Sequence, residues 1–324
     1  MTPFFGGNEV LRSYSYLQMY QVNTMAIKSY PIEWNKIFGN NNKLIVEVGF
    51  GGGEFLVNLA KENNNYNYVG IETSLTSCHK IKKKIFQDNL NNVQIILEDA
   101  KFALREFFSD NSINKVIVNF PCPWPKSKHA KNRLFDEKFI DTLSSVLEVD
   151  GELILTTDIF WYASDVKEKF LNNRCFEVKN IAEVQQLPFK TRYEKKWENE
   201  GRKKYLLIAQ KRCKKSIKRL LEGDFELPHE KIKKVNFDKL QSLAGFKKSS
   251  KNKTIVIKDT YTKLDGSEYL VKVFSEDEGY IQSYFINVIK MKEGWLVKLD
   301  DIAKAYRTPA VKEAVNTIAK EIEN

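Results

Sequence analysis

Cysteine and histidine are scarce, with four and three residues in a chain of 324. Cys78, Cys122, Cys175 and Cys213 lie far apart and form no CxxC pair. That spacing argues against a disulfide scaffold and a zinc site, and it fits a reducing cytoplasm. Three histidines are too few for a histidine-rich metal centre, so no metal is expected. No apolar run approaches the roughly 20 residues of a membrane span, so no membrane partner is expected. The opening Met-Thr-Pro-Phe-Phe lacks the basic-then-apolar order of a signal peptide. Proline is sparse as well, eight residues in all, yet three of them stand at 121, 123 and 125.

What is present describes a folded, basic protein. Hydrophobic residues make up 42% and charged residues 29%, which excludes disorder over the whole chain. The length suggests about two domains. The formal net charge of +10 favours a polyanionic partner, and the placement of the cations says more than the total. One cluster comprises Lys126, Lys128, Lys131 and Arg133. A second comprises Lys211, Arg212, Lys214, Lys215, Lys218 and Arg219.

Residues 1–25 mix aromatics with little periodicity and read as a poorly ordered arm. From residue 43 the pattern alternates strand and helix. Strand-like runs are Leu44–Val48, Tyr68–Ile71, Val93–Leu97, Lys115–Phe120 and Gly151–Thr157, with helical spacing between them. Phe176–Ile181 and Lys204–Gln210 read as two further strands. The fold class expected over 26–212 is α/β: a doubly wound, mostly parallel, Rossmann-like sheet covered on both faces. Residues 213–324 form a C-terminal α+β extension. Ser216–Leu221 reads as helical and 212–253 as a polar connection. Strands then follow at Thr254–Lys258, Tyr269–Phe274, Tyr280–Met291 and Trp295–Leu299, and a helix at Pro309–Ile322.

The first strand runs into Glu47-x-Gly49-x-Gly51-x-Gly53. A dinucleotide fingerprint, GxGxxG, would need glycine where Glu54 stands, so that reading fails. The ExGxGxG loop is instead the pattern of S-adenosylmethionine-dependent methyltransferases. Glu72 ends the second strand, where an acid can bond both ribose hydroxyls. Asp99-Ala100 follows the third strand, placed to meet an adenine edge. Each of these is also an ordinary acid at a strand end; their order and spacing together carry the cofactor reading.

After the fourth strand comes Asn119-Phe120-Pro121-Cys122-Pro123-Trp124-Pro125-Lys126-Ser127-Lys128-His129-Ala130-Lys131-Asn132-Arg133-Leu134. Three prolines in five residues make a stiff, non-helical loop where a methyl acceptor would enter. Trp124 has two readings, stacking on a base or packing against its own loop. At this point the sequence resembles the bacterial tRNA (guanine-N7-)-methyltransferases. The motifs are Glu47 through Glu54, Gly70-Ile71-Glu72, Asp99-Ala100, Phe120 through Leu134, Thr157-Asp158 and Thr191-Arg192-Tyr193-Glu194. They cover about residues 26–212.

The resemblance implies methyl transfer from S-adenosylmethionine to N7 of the guanine at position 46 in the tRNA variable loop. It implies a cofactor set of Glu47, Gly49, Gly51, Gly53, Glu72, Asp99, Ala100, Asn119 and Cys122. Lys126, Asp158, Thr191, Arg192, Tyr193 and Glu194 would contact the substrate base, and Lys128, His129, Lys131 and Arg133 the RNA. One position departs from the family, which has an aspartate with a catalytic role where this chain has Cys122. A thiol is not a carboxylate. Asp158 and Glu194 are therefore the candidate catalytic residues. The alternative reading is a weakened or non-catalytic tRNA-binding protein that keeps the fold. Aromatics among lysines in 214–324 suit either RNA stacking or a small sheet's own core.

Overall fold

The computed structural model describes residues 19–189, 202–221, 227–302 and 305–323. The chain divides into two units, one built on Tyr30–Ile217 with residues 19–24, the other on residues 218–323 with Met25–Ser29.

In the first unit, helix α1 (Trp34–Phe38) precedes β1 (Lys43–Val48). Then follow α2 (Glu54–Glu62), β2 (Tyr66–Glu72), α3 (Leu75–Gln87), β3 (Val93–Leu97), α4 (Ala100–Phe107) and β4 (Ile113–Asn119). α5 (Glu137–Val146), β5 (Leu147–Thr157), α6 (Phe160–Asn172), β6 (Phe176–Val178), β7 (Ala182–Val184) and β8 (Lys204–Lys211) complete it. The sheet order is β3-β2-β1-β4-β5-β8-β6, with β7 also on β8. β1 to β5 pair in parallel. β8 runs antiparallel to β5, β6 and β7. The expected parallel sheet is present, and its antiparallel strands gather at one edge.

Central strands are apolar throughout because both faces are buried: Val46, Val69, Ile71 and Ile96 are fully covered. Three helices start on side-chain caps. Ser74, Asp99 and Asp136 accept from Ser77 N–H, from Lys101 and Phe102 N–H, and from Phe139 N–H respectively. Each cap ends the loop that follows a strand or turn and so fixes where the site residues lie. One face is less complete than the expected two-sided cover. A cavity of about 430 Å³ lies between Ile45, Ile117, Ile154, Phe55 and the 184–188 segment.

Four expectations need correction. First, the arm is not loose throughout: Gln21 bridges Ile95 in parallel, and Val22 N–H donates to the Ile95 carbonyl at 3.0 Å. The free edge of β3 supplies those partners; residues 1–18 lie outside the described residues. Second, Cys175 and Cys213, 38 positions apart, are joined as a disulfide with Cα atoms 5.1 Å apart. β6 and β8 are hydrogen-bonded neighbours, which brings their ends together in a way that sequence distance hides. Third, Ser216–Leu221 is not helical. Arg219 and Leu221 are instead buried from an irregular stretch of chain. Fourth, the connection 212–253 contains ordered elements of the second unit.

Those elements are β9 (His229–Ile232), α7 (Phe237–Ser242) and β10 (Lys247–Ser249). After them come β11 (Lys253–Thr262), β12 (Glu268–Asp277), β13 (Tyr280–Lys290), β14 (Trp295–Leu299) and α8 (Pro309–Glu323). They form a six-stranded antiparallel sheet, β10-β11-β12-β13-β14-β9. The apolar face of α8 (Ala310, Val311, Ala314, Val315, Ile318, Ile322) packs on Ile257, Val273, Ile286 and Val297. This is the antiparallel sheet and helix that the alternation predicted, enlarged by two short strands.

Candidate active site

The glycine loop follows from β1. Gly49 N–H donates to the Ile71 carbonyl at 2.8 Å, so the loop leaves the sheet beside β2. Gly51 and Gly53 have φ of 53° and 77°, a region where L side chains are strained. Their roles differ. A Cβ on Gly53 would lie 2.4 Å from Ile81, so this glycine permits α2 to pack on α3. A Cβ on Gly49 or Gly51 would enter empty space. That space beside bare backbone is where a ligand can approach closely. Lys84 of α3 pins the loop from behind, donating to the Gly52 carbonyl at 2.7 Å and to Glu54 at 2.5 Å.

Three acids surround this space. Glu47 is 2% exposed, and its Oε2 has no hydrogen-bond partner. Burial pushes its pKa up to about 8, against the lowering effect of Asn119, whose amide donates to Oε1 at 3.2 Å. Neighbouring Glu54 and Glu72 push in the same direction as burial. A buried carboxyl with an orphaned oxygen is a ready acceptor for an ammonium group, whose positive charge would favour the ionised form against the effect of burial. Glu72 reaches across to the glycine loop, where its Oε2 accepts from Gly51 N–H at 3.1 Å. Its Oε1 accepts from Thr73 and Ser74 N–H. Asp99 uses Oδ1 to cap α4, accepting from Lys101 and Phe102 N–H at 2.9 and 3.1 Å. Its other oxygen faces no such duty, and Ala100 begins the helix.

The proline loop leaves β4 at Asn119. Phe120 and Trp124 take positive φ, 51° and 44°, so the segment is bracketed by two strained non-glycine residues. Arg133 holds it. Its Nε donates to the Pro123 carbonyl at 3.2 Å, and its Nη2 to the Trp124 carbonyl at 3.3 Å. The guanidinium also lies 5.2 Å from the centre of the Trp161 ring and 3.7 Å from Asp165. Arg133 thus faces the loop. Lys126, Lys128 and Lys131 are exposed and have no ion-pair partner among the described residues. His129 sits half-buried against Trp124, ring centres 5.7 Å apart, and Trp124 itself is 36% exposed. Cys122 is a free, exposed thiol.

Asp158 stands just beyond β5, whose Thr156 is in register with Asn119. Its carboxylate pairs with Arg202 at 3.0 Å, a contact the sequence did not announce. Thr191, Arg192, Tyr193 and Glu194 lie outside the described residues. Of the second basic cluster, Lys211 and Arg219 are buried and Arg212 and Lys215 are held in surface ion pairs. Lys211 is fully buried, donating to Asn111 and to the carbonyls of Ser145 and Leu147. Burial lowers its pKa to about 8. Arg212 pairs with Glu177 and Asp150, Lys215 with Asp141, and Arg219 is buried.

A parallel sheet of order 3-2-1-4-5, a glycine cradle after its first strand, and acids after the next two strands define a methyltransferase of the α/β class. The family model described as "Putative methyltransferase" matches residues 41–207. A Thermotoga maritima protein named tRNA (guanine-N(7)-)-methyltransferase is 41% identical over 94% of this chain and 96% of its own length. One of the same name from Coprothermobacter proteolyticus is 30% identical over 94% and 93%. The chain belongs to the tRNA (guanine-N7-)-methyltransferase family. An Oceanobacillus iheyensis relative of that name, 33% identical, has 89% of its length matched by 59% of this chain. That relative has no room for a second unit of this size.

Proposed function

We propose that the protein transfers the methyl group of S-adenosylmethionine to N7 of guanine in tRNA, at position 46 of the variable loop. The observation that carries this is the adjacency of two features at the carboxyl edge of one sheet. Bare backbone at Gly49 and Gly51 opens beside Glu47, Glu72 and Asp99. The proline loop with unpaired Lys126, Lys128 and Lys131 leaves the neighbouring strand β4.

The residues fit the cofactor. Glu47, with its orphaned oxygen, suits the α-ammonium group of the amino acid part. Glu72 suits the ribose hydroxyls, once its bond to Gly51 N–H is exchanged, and Asp99 with Ala100 suits the adenine edge. When bound, S-adenosylmethionine supplies a methyl group on a positively charged sulfur. Guanine N7 has an in-plane lone pair and no proton, so no general base is required at that atom. The chain's task is to hold the purine in line and to stabilise the positive charge the ring gains. Asp158 is the described carboxylate placed for this, once its ion pair with Arg202 is exchanged for the substrate. Glu194 is its partner in this proposal. Cys122 can line the pocket but cannot carry the charge. The loop lysines bind phosphates and deliver the variable loop.

Nucleoside analysis of tRNA after incubation with the full-length protein and cofactor tests the reading. N7-methylguanosine at position 46 is expected. Its absence, with tRNA still bound, would favour the non-catalytic alternative, which the relatives' names do not support.

A further inference from the structure

The six-stranded sheet of the second unit has two unlike faces. Both helices of the unit contribute to the core on one face, through Leu240 and Leu243 and through the apolar stripe of α8. Strand alternation sends Lys258, Phe274, Lys272, Phe285, Tyr261 and Asn287 to the other. The sheet's aromatics are therefore sorted. Tyr284 and Trp295 are buried in the helix-side core, whereas Tyr261 is 47% exposed and Phe274 and Phe285 are half-buried on the opposite face. None of the three is part of the helix-side core; Tyr261 meets Phe285 edge-on at 6.2 Å, and the Lys258 ammonium lies 5.4 Å from the Phe274 ring centre.

The lysines are sorted in the same way. On the helix side Lys248 and Lys253 both pair with Glu313. On the open side Lys258 and Lys272 make no ion pair within 4 Å among the described residues, although Asp259 stands across from Lys272 on the neighbouring strand. Between them and β14 sits Asn287, 6% exposed, whose amide donates to Glu268 at 3.2 Å. Its Oδ1 is buried with no partner among the described residues, so Asn287 offers the face no open acceptor. Aromatic faces flanked by cations without an ion-pair partner match the chemistry of a nucleic-acid strand with unstacked bases. Rings take the bases and ammonium groups take the phosphates.

We infer that this open sheet face is a second RNA-contacting surface, which grips the substrate tRNA while the first unit carries out the transfer. The inference rests on the tRNA methyltransferase reading. On this reading the unit adds affinity and no reacting group.

The test uses full-length protein and an unmodified tRNA transcript, with affinity measured across salt concentrations and methylation rates measured at saturating tRNA. Lys258→Gln with Lys272→Gln should weaken binding at least fivefold and reduce the log–log salt slope by about 1.4 to 1.8. Phe285→Ala should weaken binding about tenfold without changing the slope. The saturated methylation rate should stay within twofold in both. Lys258→Arg with Lys272→Arg should keep wild-type affinity, which separates charge from folding damage. Unchanged affinity and slope in the glutamine variant, while the wild type binds and methylates tRNA, would overturn this inference alone. Loss of self-association in Phe285→Ala with RNA binding intact would overturn it in favour of a surface for a second copy. Failure of the wild type to methylate tRNA would instead bring down the reading beneath it.

Discussion

Arg133 is the residue on which the RNA-contact reading and the geometry part most sharply. Its guanidinium is committed to the Pro123 and Trp124 carbonyls, the Trp161 face and Asp165, and the side chain is 17% exposed. Hydrogen bonds from a charged donor contribute about 1.5–3 kcal/mol, and the cation–π contact adds about 0.5–1 kcal/mol. Against them stand two non-glycine residues at positive φ, each costing about 1–2 kcal/mol. Hold and strain are of similar size, so removing Arg133 releases the loop into several arrangements. The proline loop flanks the proposed acceptor position, and a misplacement of about 1 Å there can cost about a hundredfold in rate. Arg133→Gln is therefore expected to lower the methylation rate at saturating tRNA by about 10- to 100-fold. Arg133→Lys should not rescue it, because an ammonium cannot fork to two carbonyls as a guanidinium does. The salt slope of tRNA affinity should not move. Single-turnover kinetics and a salt titration of binding decide the matter. A slope reduced by about 0.7–0.9 with the rate unchanged would show that Arg133 neutralises a phosphate, and the positioning argument would fail.

Three further outcomes follow from the site. Glu47 carries a folded pKa of about 8, above the ordinary carboxylate range. The folded state therefore holds its proton more tightly, and the contribution of this group to stability is full below about pH 4.5 and is lost as the pH rises through about 8. The slope is up to about 1.4 kcal/mol per pH unit; urea unfolding at pH 5.5 and pH 8 should show this fall, and Glu47→Gln should flatten it. Gly53→Ala forces a Cβ against Ile81 and should cost about 2 kcal/mol or more in thermal unfolding. Gly51→Ala should cost only about 1–2 kcal/mol yet lose cofactor binding by calorimetry, because its Cβ enters the open cradle. Cys122→Ala should keep most activity, whereas Asp158→Ala should lower kcat about a hundredfold or more; equal losses in the two would give the thiol a role that charge stabilisation does not explain.

The glycine loop and the acids proposed for the cofactor were legible as a local arrangement, because their parts act close to themselves in the chain. A glycine needed for a tight turn, an acid at a strand end and a capping aspartate each act within a few residues of themselves. Glu47, Gly49, Gly51, Gly53, Glu72 and Asp99 therefore come together as the alternation implied. The cations were less legible. Lys126, Lys128 and Lys131 are exposed and make no ion pair among the described residues, but Arg133 in the same run turns inward, because Pro123 and Trp124 present carbonyls there. Lys211 and Arg212 looked like part of a basic patch, yet one is buried under a helix end and the other bridges two acids. A count of charges cannot show which of them find partners.

By itself the sequence determined the order of strands and helices, the glycine cradle, the stiff proline loop and the family. Each depends on periodicity, on backbone freedom, or on a motif contiguous in the chain. Only the tertiary structure decided which cations stay unpaired, that Cys175 meets Cys213, and that Arg202 faces Asp158. It alone sorted the aromatics of the second sheet into a core and an open face. These outcomes depend on which distant segments the packing brings within a few ångströms of one another, and neither composition nor spacing encodes that distance directly.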